Sequence, residues 1–201
     1  MSQDFFRTPI GSMTANQRAR RDRLTRAVIE IVSETGPENL QMREVAERSG
    51  VALGTIYRYF TSKEHLLAEA WKDWQGRLTE KVMGDLGRVG RQPTYERVLE
   101  FVLREMRAFQ HNPNFARLAV QLEACPDPYV SETLVQIGEE NQRVMDALMA
   151  GLDEDIVRPA RIAISSTLGA GLVAWTTGRV TIVEARRNLE EVVRLVLGET
   201  D

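Results

Sequence analysis

Cysteine and histidine are nearly missing from this chain, which has one Cys and two His in 201 residues. The lone Cys125 excludes an internal disulfide and any cysteine-built metal cluster, and His65 and His111 stand too far apart to suggest a shared metal. Thiol, imidazole and zinc chemistry lack material. No acid, base or nucleophile cluster is local in the sequence either, so the reading is a non-enzyme with no cofactor and no metal. A run of about eighteen apolar residues is also missing, and with it a membrane span. The opening MSQDFFRTPIGSM lacks the continuous apolar core of a secretory signal, which places the chain in the cytoplasm. Sustained period-two alternation and hairpin dipeptides between β-branched runs are absent too, which leaves an all-α fold. A net charge of -3 excludes a protein that coats nucleic acid over its whole surface.

What is present is helical periodicity, with 43% hydrophobic residues to bury. Residues 1–13 are set apart as a disordered arm or a non-native extension. Thr14-x-x-Gln17 has capping-box form, and Leu24, Val28 and Ile31 make a stripe that Gly36-Pro37 ends. Gln41 to Ser49 reads as a second helix, Gly50 as the permissive residue of a tight turn, and Leu53 to Phe60 as a third helix. Thr61-x-x-Glu64 reads as another capping box, opening a long fourth helix with Leu66, Leu67, Ala70, Trp74 and Leu78 inward. Beyond a Gly- and Arg-rich joint at 84–92, Leu99, Val102, Leu103, Met106 and Phe109 mark a fifth helix halted by Asn112-Pro113. Phe115, Leu118 and Leu122 mark a short sixth. Asp127-Pro128 caps a seventh, with Leu134, Ile137, Val144, Leu148 and Leu152 inward. The eighth, from about Pro159 to Val180, is apolar nearly all round, and Thr181-x-x-Glu184 opens a ninth. About nine helices result. Helices eight and nine either pair with their copies in a second subunit or close the core of one chain.

Function is concentrated in QMREVAERSGVALGTIYRYFTSKEHLL, Gln41 to Leu67. A helix, a glycine turn, a short second helix and a lysine-bearing third helix form the layout of a helix-turn-helix DNA reader. Just ahead of it Arg18, Arg20, Arg21, Arg23 and Arg26 concentrate positive charge where phosphates would lie.

This segment resembles the signature of TetR-type bacterial transcription regulators, through Gly50-Val51, Gly54-Thr55, Tyr57, Tyr59-Phe60 and Ser62-Lys63 in one register. The resemblance implies a helix-turn-helix head at 14–64 and a helical ligand-binding and dimerisation body at 65–201. It also implies a homodimeric repressor on a palindromic operator of double-stranded DNA, paired through helices eight and nine and released by a hydrophobic small molecule. Within that frame Gly54 lets backbone approach DNA, Thr55 and Tyr57 suit phosphate, and Arg58 and Tyr59 are the base readers. Arg58 serves equally as a phosphate clamp. Lys63 adds an ammonium at the start of helix four. The chain departs from the pattern at the opening of helix two, where Gln41 and Met42 replace the usual threonine region, leaving Gln41 and Arg43 to meet phosphate. It departs again at Leu53, an apolar contact or none.

For the body the resemblance implies a small-molecule site, and Met106, Phe109, Phe115, Leu118, Leu122, Ile137, Met145 and Trp175 are its apolar candidates, each also readable as plain core. Asn141 falls on the inner stripe of helix seven, where a polar side chain requires a partner, or else faces solvent at the edge. The motif together with AWTTGRV and VVRLVLG near the end is similar to KstR-type repressors of sterol degradation, which implies a steroid or its coenzyme A thioester as inducer. Three alternatives stay open: a TetR-type activator, a regulator without ligand, and a redox sensor using Cys125.

Overall fold

The computed structural model describes residues 13–86 and 93–198; the expectation for residues 1–12, and most of the joint at 84–92, lie outside them. The described residues form nine α-helices and no strand, with one 3₁₀ turn at Pro37–Asn39. The helices are α1 Ala15–Thr35, α2 Met42–Ser49, α3 Leu53–Tyr59, α4 Lys63–Leu86, α5 Thr94–His111, α6 Pro113–Glu123, α7 Pro128–Leu148, α8 Glu154–Thr176 and α9 Ile182–Leu197. None is long and apolar enough to cross a membrane.

Local chemistry sets most of these ends. Thr14 and Gln17 close a reciprocal capping box on α1, and Thr181 and Glu184 another on α9. Pro113 and Pro128 each open a helix, where a missing N–H costs no intrahelical bond. Two ends differ from the expected ones. The cap of α4 is one residue later, because Ser62 Oγ, rather than the Thr61 hydroxyl, accepts the His65 N–H at 2.9 Å. Helix α8 starts at Glu154 and stops at Thr176, with Asp153 as its cap and Pro159 inside it. That proline leaves the Asp155 carbonyl without its helical donor, at an exposed residue where water can serve.

Helix α1 packs on α2 and α4, and its buried Leu24, Val28 and Ile31 meet Val45, Ile56, Phe60, Leu66 and Leu67 in the core of the head. Helix α4 continues unbroken into the body, where it meets α5, α6 and α7. The inner face of α5 is Val98, Phe101, Val102, Glu105, Met106 and Phe109, while Leu99 and Leu103 are half-buried. An aromatic cluster joins α4 to α5 and α6. Trp74 lies parallel to Phe115 with centroids 4.4 Å apart, and Trp71 is 5.8 Å from Phe109 and 6.4 Å from Phe115. Helices α8 and α9 lie along each other at the far end. The near-uniform apolarity of α8 points to burial on more than one side, yet within one chain only Ala160, Ile164 and Leu172 are buried. Ile162 keeps 53% of its surface exposed, and Ser165, Ser166, Gly169 and Ala170 are also exposed.

Candidate nucleic-acid interface and effector site

The turn between α2 and α3 rests on Gly50, at φ 64° and ψ 26°, the left-handed conformation that glycine adopts most readily. Its N–H closes α2 on the Ala46 carbonyl, and the chain re-enters the core at buried Val51. Helix α3 is then pinned from beneath by Ile56 and Phe60, both essentially inaccessible. The opposite side carries Gly54, Tyr57 and Arg58 outward, with Tyr57 46% exposed. A Cβ on Gly54 would meet nothing within 4 Å in the free protein, so glycine there leaves open space in front of the backbone. Around this row stand exposed Gln41 and Arg43, half-buried Thr55 and Lys63, and exposed Arg18 and Arg20 at the start of α1. The Gln41 side chain makes no cap bond to α2, which leaves its amide available.

Four candidates on the head are tied to the protein rather than fully exposed. Arg21 is not presented to solvent. Its guanidinium pairs with Glu69 of α4, its side chain is 13% exposed, and it lies 5.6 Å from the centre of the Phe60 ring. Those contacts hold it back from solvent, unlike exposed Arg18 and Arg20. The Tyr59 ring is half-buried against the core, 6.4 Å from Phe60, whereas Arg58 is exposed. Leu53 and Met42 also pack partly against the core, which accounts for apolar side chains beside the outward row.

In the body the apolar candidates are packed against one another. Leu118 and Leu122 are fully enclosed, Met106 and Met145 are buried, and Phe109 and Phe115 are occupied by the two tryptophans. Trp175 is half-buried on α8. A cleft lies between α4 and α7, with a volume of about 150 Å³. Its walls are Lys72, Gln75, Gly76, Thr79 and Glu80 from α4, and Ile137, Glu140 and Asn141 from α7. Of the sequence candidates, then, Ile137 and Asn141 line it, and Met106, Phe109, Phe115, Leu118, Leu122, Met145 and Trp175 do not. Most of the residues lining it are of polar type, although apolar atoms make up the larger part of its surface. Asn141 has a protein partner, the Gln75 amide, which donates to its Oδ1 at 3.0 Å. The Gln75 Oε1 is left buried with no hydrogen-bond partner. Lys72 spans the helices, donating to Gln136 at 2.8 Å and lying 3.4 Å from Glu140. The missed residues had a sequence signal, since 72, 75, 76 and 79 recur at helical spacing beside the apolar stripe of α4.

Glu105 was also unforeseen. It is buried on the inner face of α5, and burial pushes its carboxyl up to about 7. Cys125 is half-buried just beyond the end of α6.

A sequence profile of bacterial regulatory proteins of the tetR family matches residues 24–70. The chain is 33% identical over 187 residues to the HTH-type transcriptional repressor KstR of Mycobacterium tuberculosis, a match covering 92% of this chain and 84% of that protein. In structure it resembles a TetR transcriptional regulator from Rhodococcus sp. RHA1, with TM-score 0.77 and 25% identity, over 94% of this chain and all of that one. It also shares its fold with Thermus thermophilus FadR, a repressor solved in complex with lauroyl-CoA, with TM-score 0.69 and 18% identity over 90% of this chain and 95% of that one.

Proposed function

This chain belongs to the tetR family of bacterial regulatory proteins, and from that premise we infer a transcriptional repressor, a regulator and not an enzyme, that binds operator DNA through α3. The observation that carries the reading is the outward row Gly54, Tyr57 and Arg58 on a short helix anchored by Ile56 and Phe60. An arginine so placed matches the paired acceptors of guanine in the major groove, while Tyr57, Thr55, Lys63, Gln41, Arg43, Arg18 and Arg20 meet phosphate and fix the register.

The protein acts in the cytoplasm as a homodimer through α8 and α9. Exposed Ile162, Val183 at 63% and Leu195 at 82% support this, as do the small residues of α8 that allow close helix approach. Two copies of α3 then address half-sites about one DNA turn, ~34 Å, apart.

The effector is a hydrophobic acid carried as its coenzyme A thioester, a sterol catabolite or a long acyl chain. The likeness to KstR and the fold shared with a lauroyl-CoA complex support this class. The amides, lysine and unpartnered Gln75 Oε1 of the α4–α7 cleft supply hydrogen bonds for the polar part of such a ligand. The apolar part enters by parting the aromatic cluster between α4, α5 and α6. Release requires the ligand to prefer the non-binding arrangement of the heads, and by linkage operator DNA then weakens ligand binding equally.

The test is a mobility-shift assay on DNA upstream of the protein's own gene. Tyr57→Phe combined with Lys63→Ala abolishes the shift with folding and dimerisation intact, and Arg58→Ala costs about 1 to 3 kcal/mol and relaxes one operator position. Unchanged binding in both variants refutes the assigned DNA face.

A further inference from the structure

The turn that ends α3 and the start of α7 are built into each other. Ser62 caps α4 by accepting the His65 N–H, and Asp127 caps α7 by accepting the Tyr129 N–H at 2.8 Å. The two caps also bond to one another, Ser62 Oγ donating to Asp127 Oδ2 at 2.6 Å. Beside them the His65 ring lies flat on Tyr129, centroids 5.1 Å apart and 13° between planes, and meets Phe60 edge-on at 5.4 Å. Its Nδ1 accepts the Thr61 N–H at 3.3 Å, so the imidazole holds the backbone just beyond α3 as well as its last core residue. One turn further along, Thr133 of α7 donates to Glu69 at 3.0 Å, the carboxylate that also holds Arg21 of α1.

Helix α7 therefore touches the end of α3 at one end and lines the α4–α7 cleft with Ile137, Glu140 and Asn141 farther along. Tyr129 and Ile137 are eight residues apart, about 12 Å along a helix. A packed helix moves as a rod rather than bending over so short a span. We propose that the Tyr129–His65 stack, together with the shared Ser62–Asp127 cap bond, is the contact through which α7 sets the angle of α3, making Tyr129, His65, Ser62 and Asp127 positioning residues for DNA reading. A tilt of α7 at the cleft cannot leave the α3–α4 turn behind without breaking a charge-assisted hydrogen bond and unstacking a half-buried imidazole. The turn follows, and α3 turns with it. This rests on the repressor reading and adds to it a route between cleft and recognition helix that runs along α7 and through the first turn of α4.

Distance measurement between spin labels in the full chain tests the proposal. With Cys125→Ser as background, labels go on exposed Glu47 of α2 and exposed Gln121 of α6, and labelled protein is diluted with unlabelled. The native chain and Tyr129→Phe, which keeps a ring for His65, give one narrow head-to-body distance. Ser62→Ala combined with Tyr129→Ala gives a distribution at least twice as wide and about tenfold weaker binding in the mobility shift. Should that pair fail to fold, Tyr129→Leu alone replaces it, keeping apolar bulk without a ring. A folded variant that keeps both the native distance width and native affinity overturns the proposal. A native chain that binds no promoter DNA overturns the repressor reading instead, and the distance widths still decide whether α7 holds the head.

Discussion

Replacing Glu105 with glutamine should stabilise the protein at neutral pH and leave it almost unchanged in acid. The carboxyl is buried on the inner face of α5, and burial raises it from its ordinary 4.5 to about 7. A displacement of that size is worth on the order of 3 kcal/mol at 1.36 kcal/mol per unit. The folded state keeps a proton that the unfolded chain has already released, so stability is full below about 4.5, falls as pH rises towards about 7, and levels off above it. Glu105→Gln preserves the shape and removes the ionisation. Urea unfolding of both proteins, at one protomer concentration because dimerisation adds to apparent stability, gives the comparison. The two should agree within about 1 kcal/mol near pH 5, and the glutamine variant should lead by about 2 to 3 kcal/mol near pH 8. Taking the difference between the proteins cancels every other titrating group they share. Parallel curves across that range would show that Glu105 ionises in the native state without cost, and that the burial argument fails.

Burial of His65 against Phe60 and Tyr129 lowers its pKa below the ordinary 6.5, outweighing the pull of Glu69 and Asp127. The unfolded chain therefore takes up the proton first on acidification, and stability is lost as pH falls below about 6.5; an imidazole NMR titration with its midpoint at or above that value contradicts this. Phe115→Ala empties the centre of the aromatic cluster and should cost about 3 to 5 kcal/mol by thermal or urea unfolding, with less than 1 kcal/mol counting against the packing described. Ile162→Glu with Leu195→Glu places charge on the exposed face of α8 and α9 and should leave a folded monomer in analytical ultracentrifugation, whereas a persistent dimer would move the interface elsewhere.

Much of the fold was legible because helix ends are written locally. Thr14 with Gln17 and Thr181 with Glu184 carry complete capping boxes, and both helices start where those residues place them. Two signals misled for equally local reasons. Thr61 and Glu64 have the right types at the right spacing, but Ser62 also suits a cap and gains a second bond from Asp127, a residue 65 positions away. Pro159 reads as a first-turn proline, but Asp153 offers an earlier cap and the helix accommodates the ring inside it. The outward row Gly54, Tyr57 and Arg58 was readable because α3 is short and its glycine turn explicit. What stayed hidden was pairing at long range: Arg21 looks like its neighbours Arg18 and Arg20 until Glu69 comes alongside it. In the body, apolar spacing marks what is buried and not where a gap remains. The cleft thus fell among Lys72, Gln75, Thr79 and Glu140, which alone read as solvent-facing.

The withdrawal of Arg21 into an ion pair bears on how the repressor samples a chromosome. It leaves Arg18, Arg20, Arg43 and Lys63 as the cations proposed to meet phosphate, four from each protomer and eight in a dimer. Displacing condensed counterions with eight cations gives a slope of about -7 in log affinity against log salt. Each chain meanwhile carries a net -3, so the surface away from the head repels the duplex. Grip on bulk sequence is therefore brief at cellular ionic strength, and long residence is kept for sites where the base edges add their share.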